Sequence, residues 1–370
     1  MPSRYVYEDA LGQRGQGAAL RFLQPAHVTV LGGSREETIV VSDTGNHRLQ
    51  MLGASGQFVR TIGGTELVRA DGTGRLARGL RYPMGVVSDE NGDSLVVADM
   101  LNRRLLRLRS SDGAVLANQS SWQQSFGHAA QSFTRPRGLA LHSQRWGSFG
   151  KIPVLYVADA GNNHVSTFAL APPSPGTISL PGLVSSASGS RIIPLISFGQ
   201  PGDGASDMSQ PVAVCAAELI DAEFGRSTRV WVADQLHDRV QEWRFHPHLT
   251  AYQHVRNLGA SGVPAQLVRP SAVSLLPAAD RRAETSRLFI SEARGGRGRV
   301  HVFDANEHAL QVIMPPSRSL VGRAASVSRP LGGIAFARRS NTDASADAHR
   351  LVVAGGGGHN RLFIFRRERV

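Results

Sequence analysis

One phrase recurs six times along the chain, and a repeat of this length leaves few folds open. It consists of three apolar residues, a small residue and an acid, then a short polar loop and a second apolar alternation. It reads Ile39-Val40-Val41-Ser42-Asp43 with Asn46-His47-Arg48-Leu49 behind it, then Leu95-Val96-Val97-Ala98-Asp99 with Asn102-Arg103-Arg104-Leu105. The third copy is Leu155-Tyr156-Val157-Ala158-Asp159 with Asn162-Asn163-His164-Val165, and the fourth is Val230-Trp231-Val232-Ala233-Asp234 with Asp238-Arg239-Val240. Leu288-Phe289-Ile290-Ser291-Glu292 is the fifth, and Leu351-Val352-Val353-Ala354-Gly355 is a sixth without its acid. The steps 43→99, 99→159, 159→234, 234→292 and 292→355 are 56, 60, 75, 58 and 63 residues.

Two further phrases fall in register with the first. A residue and a proline precede each copy, at Gln24-Pro25, Tyr82-Pro83, Arg135-Pro136, Gln210-Pro211, Arg269-Pro270 and Arg329-Pro330. An apolar run ending in glycine follows most copies, at Thr61-Ile62-Gly63, Ser125-Phe126-Gly127, Ser197-Phe198-Gly199 and Asn257-Leu258-Gly259. Each period therefore holds four short strands, a to d, with proline just before strand a, where no ladder donor is lost. No stretch carries a helical period over ten or more residues. Four-stranded units repeated six times predict an all-β, six-bladed β-propeller, which removes exposed edges by closing on itself. The blades fall at about 24–63, 82–127, 135–199, 210–259, 269–314 and 329–370. The last lacks a strand, and the N-terminal run around Tyr5-Val6-Tyr7, within 4–12, is available to complete it. One domain spanning 1–370 is expected.

These phrases resemble the NHL repeat, whose Asn-His-Leu run is approached by Asn46-His47-Arg48-Leu49. The resemblance covers essentially the whole chain and is strongest over Asp43–Arg60. It implies a six-bladed propeller whose partners are RNA or protein. A related set of six-bladed enzymes cleaves peptidyl-hydroxyglycine with zinc, and sugar-lactone hydrolases of similar form use a calcium held by acids. The inner strands here offer mostly Val, Leu, Ala and Ser where such acids would stand.

Charge supplies the functional expectation. Arginines and one lysine number 41 against 29 acids, a net charge of +12, and arginine suits phosphate and carboxylate partners. In a meander the b–c and d–a loops share one face, where Arg48, Arg69, Arg75, Arg78, Arg81, Arg103, Arg104, Arg135, Arg137, Arg239, Arg294, Arg297 and Arg299 gather. The expectation is a non-catalytic platform binding RNA or an acidic protein on this basic face. A protein scaffold without nucleic acid and a metal-dependent lyase or lactonase are the alternatives. Asp43, Asp99, Asp159, Asp234 and Glu292 are read as structural repeat acids, with Arg48, Arg104 and Arg239 as their bonding partners. Arg69, Arg75, Arg78 and Arg81 lie in the long loop from Gly63 to Arg81, and Arg294-Gly295-Gly296-Arg297-Gly298-Arg299 looks like an RGG-type motif. His47, His164, His237 and His359 sit on the same face but too far apart to share an ion, so no metal and no cofactor are expected. Nor does a Gly-x-Ser-x-Gly elbow or a Cys–His pair announce a nucleophile. The lone Cys215 and the absence of a signal peptide, transit peptide or long apolar run point to an intracellular, cytoplasmic monomer.

Overall fold

The computed structural model describes residues 3–31, 37–64, 66–122, 131–146, 150–171, 192–222, 225–259, 266–294, 297–304, 308–313, 333–338, 349–355 and 360–369. Six sheets of four antiparallel strands carry the repeat. Blade one is His27–Val30, Thr38–Asp43, Arg48–Gly53 and Phe58–Gly63. Blade two is Pro83–Ser88, Ser94–Asp99, Arg104–Arg109 and Val115–Gln119. Blade three is Pro136–Arg145, Lys151–Asp159, His164–Leu170 and Ile192–Phe198. Blade four is Pro211–Asp221, Gly225–Asp234, Arg239–His246 and Ala251–Leu258. Blade five is Ala272–Leu276, Arg287–Arg294, Arg297–Asp304 and Ala309–Ile313. Blade six joins Ile334–Arg338, His349–Gly355 and Arg361–Arg369 to the N-terminal strand Ser3–Leu11. That strand runs antiparallel to Arg361–Arg369, and the innermost strands neighbour one another round the circle, the sixth against the first. The fold is a six-bladed propeller closed by its N-terminal strand. Among the described residues no helix is long and apolar enough to cross a membrane.

The apolar alternation builds the ring by packing blade on blade. Val40 of blade one sits with Val86, Val97 and Leu106 of blade two, and Leu139 of blade three joins Val96 and Ala98 of blade two. Each such Val or Leu side chain contributes about 1.5–3 kcal/mol when fully buried. The inner strands approach so closely that side chains are excluded at some positions. A Cβ on Gly138 would stand 2.4 Å from the Ala213 backbone, and one on Gly85 equally close to the Arg137 carbonyl.

Two polar devices recur at the b–c turns. The repeat acid holds the loop that leads into its own blade: backbone N–H groups of Leu23, Arg81, Arg135 and Ser209 donate to Asp43, Asp99, Asp159 and Asp234 at 2.6–2.8 Å. Val268 N–H does the same to Glu292 at 2.7 Å. Four residues after the acid, His47, Arg103, Asn163 and Asp238 adopt left-handed φ of 53–56°. The side chains of His47, Asn163 and Asp238 then accept the N–H of the pre-proline residue of the next blade (Tyr82, Gln210 and Arg269) at 2.7–3.0 Å. Asn360 does likewise for Gln24, stitching blade six to blade one.

Blades three and four depart from the others on the opposite face. The stretches His142–Lys151 and Ala216–Arg229 are in large part paired strand that lengthens the two inner hairpins. Ser125-Phe126-Gly127, Arg329-Pro330, Gly356–Gly358, His359 and most of the Pro/Ser-rich stretch 171–191 lie outside the described residues.

Candidate active site

The expected basic face loses its anchors once the arginines are placed. Arg48, Arg104 and Arg239 are buried, and each donates its Nε to the repeat acid, Asp43, Asp99 or Asp234, at 2.7–2.9 Å. Their other nitrogens take backbone carbonyls, those of Gly17, Ala18 and Arg21 for Arg48, and of Arg78 and Gly79 for Arg104. Such guanidiniums are consumed in the fold and are not offered to a partner. Arg75 is exposed but paired with Glu66. Arg137 is half-buried with its Nε lacking a hydrogen-bond partner, and burial lowers its pKa, with Arg135 adding to the shift. Arg299 faces Glu292 across the hairpin, and Arg294 faces Arg297, whose side chains, like that of Arg294, lie outside the described part. Arg69, Arg78, Arg81, Arg103 and Arg135 are exposed.

The opposite face carries a cationic collar. Glu218, buried on the long inner hairpin of blade four, is held by Arg226 at 2.8 Å, Lys151 at 3.4 Å and Arg281 at 3.5 Å. Burial opposes its charge, but the Arg226 bond and the Lys151 charge outweigh it and the pKa falls. His142 beside it is pushed down to about 4, chiefly by desolvation. Among the described residues no group of three His, Cys, Asp or Glu is placed to hold a metal ion. The residues that follow the repeat proline in blades one to five, Ala26, Met84, Arg137, Val212 and Ser271, include no carboxylate.

One departure from the repeat builds something different. The residue paired across the b–c hairpin with the acid is Arg48, Arg104, Arg239 and Arg299 in blades one, two, four and five, and Arg361 pairs with Gly355 in blade six. In blade three it is His164. Two residues further on, Gln50 and Gln241 turn back to bond their acids at 2.9 Å. Blade three has Ser166 there instead. Freed from the acid, these two residues bond to each other. His164 Nε2 lies 3.0 Å from Ser166 Oγ, and Ser166 Oγ lies 3.2 Å from Oγ of Ser197 on the next strand. On its other side the ring places Nδ1 3.2 Å from the Asn162 carbonyl.

The direction of every proton in this chain follows. A carbonyl only accepts, so Nδ1 carries the ring proton and Nε2 accepts from Ser166. Ser166 has one proton to give, so its oxygen accepts from Ser197. Burial lowers the His164 pKa, and the opposing pull of Asp159 and the Asn162 carbonyl is smaller, which keeps the imidazole neutral near pH 7. Asp159 itself is occupied by the N–H groups of Thr134 and Arg135 and by the Asn162 amide. Two hydroxyls, an imidazole and a carbonyl that fixes its tautomer stand in sequence.

Ser197 is also in the wall of a cavity of about 520 Å³ between the outer strands of blades three and four. Ile196, Phe198, Gly199, Gln200, Ser206, Trp243, Thr250, Ala251 and Tyr252 complete it. The Phe198 and Tyr252 rings stack with centroids 4.3 Å apart, and Trp243 tilts onto Phe198 at 4.9 Å. The Tyr252 hydroxyl is directed into the blade interface, where it donates to Tyr156 at 3.1 Å and accepts from Gln144 at 3.2 Å. Sequence reasoning placed His164 among the metal candidates and missed both serines. The signal was the loss of arginine and glutamine at the fifth and seventh positions after Asp159.

No family model matches the chain, and no curated protein matches it. Solved structures do. The calcium-binding protein regucalcin from Agrobacterium tumefaciens is 12% identical, with 93% of this chain and 90% of that one covered at a TM-score of 0.48. The periplasmic gluconolactonase of Pseudomonas aeruginosa is 14% identical, covering 83% and 71% at 0.40. A putative 6-phosphogluconolactonase from Bacteroides fragilis is 13% identical, covering 88% and 76% at 0.42. At such distance these are likenesses of architecture. The expectation of a non-catalytic platform binding RNA or an acidic protein, and with it that the chain is no enzyme, is corrected. Three of its arginines, Arg48, Arg104 and Arg239, are bound into the turns and are not offered to a partner.

Proposed function

We propose that the chain is a hydrolase of esters or lactones with Ser197 as nucleophile and His164 as its general base through Ser166. The observation that carries this reading is the continuous hydrogen-bonded chain from Ser197 through Ser166 to a neutral histidine of fixed tautomer. Ser197 Oγ attacks the carbonyl carbon as its proton passes to Ser166, whose own proton passes to His164 Nε2. The tetrahedral adduct collapses with cleavage of the bond to the leaving oxygen, which takes the proton back through Ser166. Water then attacks the acyl-serine over the same relay, releasing the acid and restoring Ser197. In a lactone the leaving oxygen stays tethered to the acyl group. The reading agrees with the lactonase names among the similar structures, which belong to those proteins. We also propose that the repeat is of NHL type and that residues 1–370 form one domain.

The test is hydrolysis of p-nitrophenyl acetate and of a δ-lactone by the purified chain, beside labelling with a fluorophosphonate and peptide mapping. Turnover with label on Ser197, both lost in Ser197→Ala, is the expected result. Label elsewhere, or turnover unchanged in Ser197→Ala, would sink the proposal.

A further inference from the structure

The junction of blades two and three breaks the repeat in a second way. His47, Asn163, Asp238 and Asn360 each accept the N–H of the next blade's pre-proline residue at 2.7–3.0 Å. Those pre-proline residues, Tyr82, Gln210, Arg269 and Gln24, hold left-handed φ of 49–59°. Blade two has Arg103 at this turn position, and arginine has no atom that accepts. Arg135, the pre-proline residue it would serve, has no positive φ and donates its N–H to Asp159 at 2.8 Å.

Arg137 lies two residues further on. Pro136 pairs with Asp159 and Gly138 with Ala158, so Arg137 is the extra residue of a bulge in the innermost strand of blade three. At the same place after the proline the other blades carry Ala26, Met84, Val212, Ser271 and Leu331, none of them charged. The charged and titratable groups that act on Arg137 are Arg135 and Tyr82, which places its side chain toward blade two. Its Nε is buried without a hydrogen-bond partner. Among the described residues, Arg103, Arg135 and Arg137 form no ion pair and donate no side-chain hydrogen bond. The repeat acid of this blade, Asp159, is occupied by the N–H groups of Thr134 and Arg135 and by the Asn162 amide.

A half-buried guanidinium without a partner is destabilising, and the fold does not need one here, since Met84 fills the equivalent place in blade two. An arginine kept at this position has a use outside the chain's own packing. Its planar fork suits an oxyanion, and three neighbouring positive charges favour a doubly charged one. We infer that the junction of blades two and three binds a small ligand through a dianionic phosphate group, held by Arg137 with Arg103 and Arg135. The site is independent of the hydrolase reading and shares no residue with it.

The experiment is calorimetric titration of the purified chain with inorganic phosphate at about pH 8, where phosphate is dianionic, and with acetate at equal ionic strength. A single saturable phosphate site is expected, with acetate about tenfold weaker or more because it carries half the charge. Arg137→Met should weaken phosphate about tenfold or more, the scale of a lost charge-assisted hydrogen bond. Its urea midpoint without phosphate should equal or exceed the parent's, because an unpaired buried charge has gone. Arg103→Ala removes an exposed side chain, and should keep the midpoint while weakening phosphate about threefold. No phosphate binding, acetate bound as well as phosphate, or unchanged phosphate affinity in either variant overturns the site. A midpoint of Arg137→Met well below the parent's also overturns it, by showing that the arginine serves the fold.

Discussion

Replacing His164 by arginine makes blade three resemble its neighbours. In blades one, two and four the equivalent guanidinium reaches the repeat acid at 2.7–2.9 Å and lies against backbone carbonyls, so the turn already has a place for it. The variant should therefore fold with a stability change of no more than about 1 kcal/mol, the scale of a hydrogen bond exchanged for another. Activity should not survive, since arginine cannot accept the proton that Ser166 delivers. Loss of a general base removes about 10²–10⁴ in rate, or roughly 2.7–5.4 kcal/mol of transition-state stabilisation at about 1.36 kcal/mol per decade. Urea denaturation measures the first quantity and ester hydrolysis the second. His164→Ala supplies a control, because added imidazole should restore part of its rate if a base is all that is missing. Activity of His164→Arg within about threefold of the parent, less than 1 kcal/mol, refutes the relay. A loss of activity matched by collapse of the fold refutes the claim that blade three spares this residue for chemistry.

Arg239→Ala strips the counter-charge from Asp234, which is fully buried, and should cost about 3–5 kcal/mol in denaturant unfolding, whereas Arg103→Ala, exposed at its turn, should stay within about 0.5 kcal/mol. Equal effects would contradict the placement of the two. His27 has its pKa lowered to about 4 by burial, so the unfolded chain binds its proton first as pH falls below about 6.5 and the native state is disfavoured progressively down to pH 4. A shift of that size corresponds to on the order of 3 kcal/mol lost across the window, and His27→Gln should flatten the denaturation midpoint against pH by a comparable amount. A midpoint equally steep in the variant would remove His27 as a cause. Tyr5→Ala removes a ring packed edge-on to Phe289 at 5.3 Å in the closing strand and should cost about 3 kcal/mol. A smaller loss than for an exposed residue such as Tyr7 would show that the N-terminal strand does not hold the ring shut.

The fold was legible because its rules are local and repeated. A proline before strand a, an acid ending strand b and an apolar alternation between them each state where backbone pairing starts, stops and faces. Six copies make the register hard to mistake. Even the ring closure could be read, since blade six ran out of chain one strand early. Charge was less legible for a physical reason: a composition count cannot tell a solvated arginine from one folded back on its own repeat. Arg104 and Arg103 are adjacent in sequence, yet one is buried against Asp99 and the other exposed, because the left-handed turn points them apart.

The site was hidden by the same regularity that revealed the fold. Ser197 belongs to a phrase shared by several blades and reads as strand d punctuation, and Ser166 reads as an ordinary small residue in strand c. Only the pairing register puts them opposite each other with His164 two residues away on the same strand. In a repeat protein every blade pays the same structural obligation at its b–c turn, holding its own loop and the next blade. Blade three meets it through Asp159, bonded to Thr134, Arg135 and Asn162, and through Asn163 bonded to Gln210. Arginine is therefore dispensable there, and the position is open to a residue chosen for another purpose. A departure from the repeat at a turn already secured by other bonds is thus the place to look for chemistry. It is more telling than a conspicuous charge, because the fold has no use for the change.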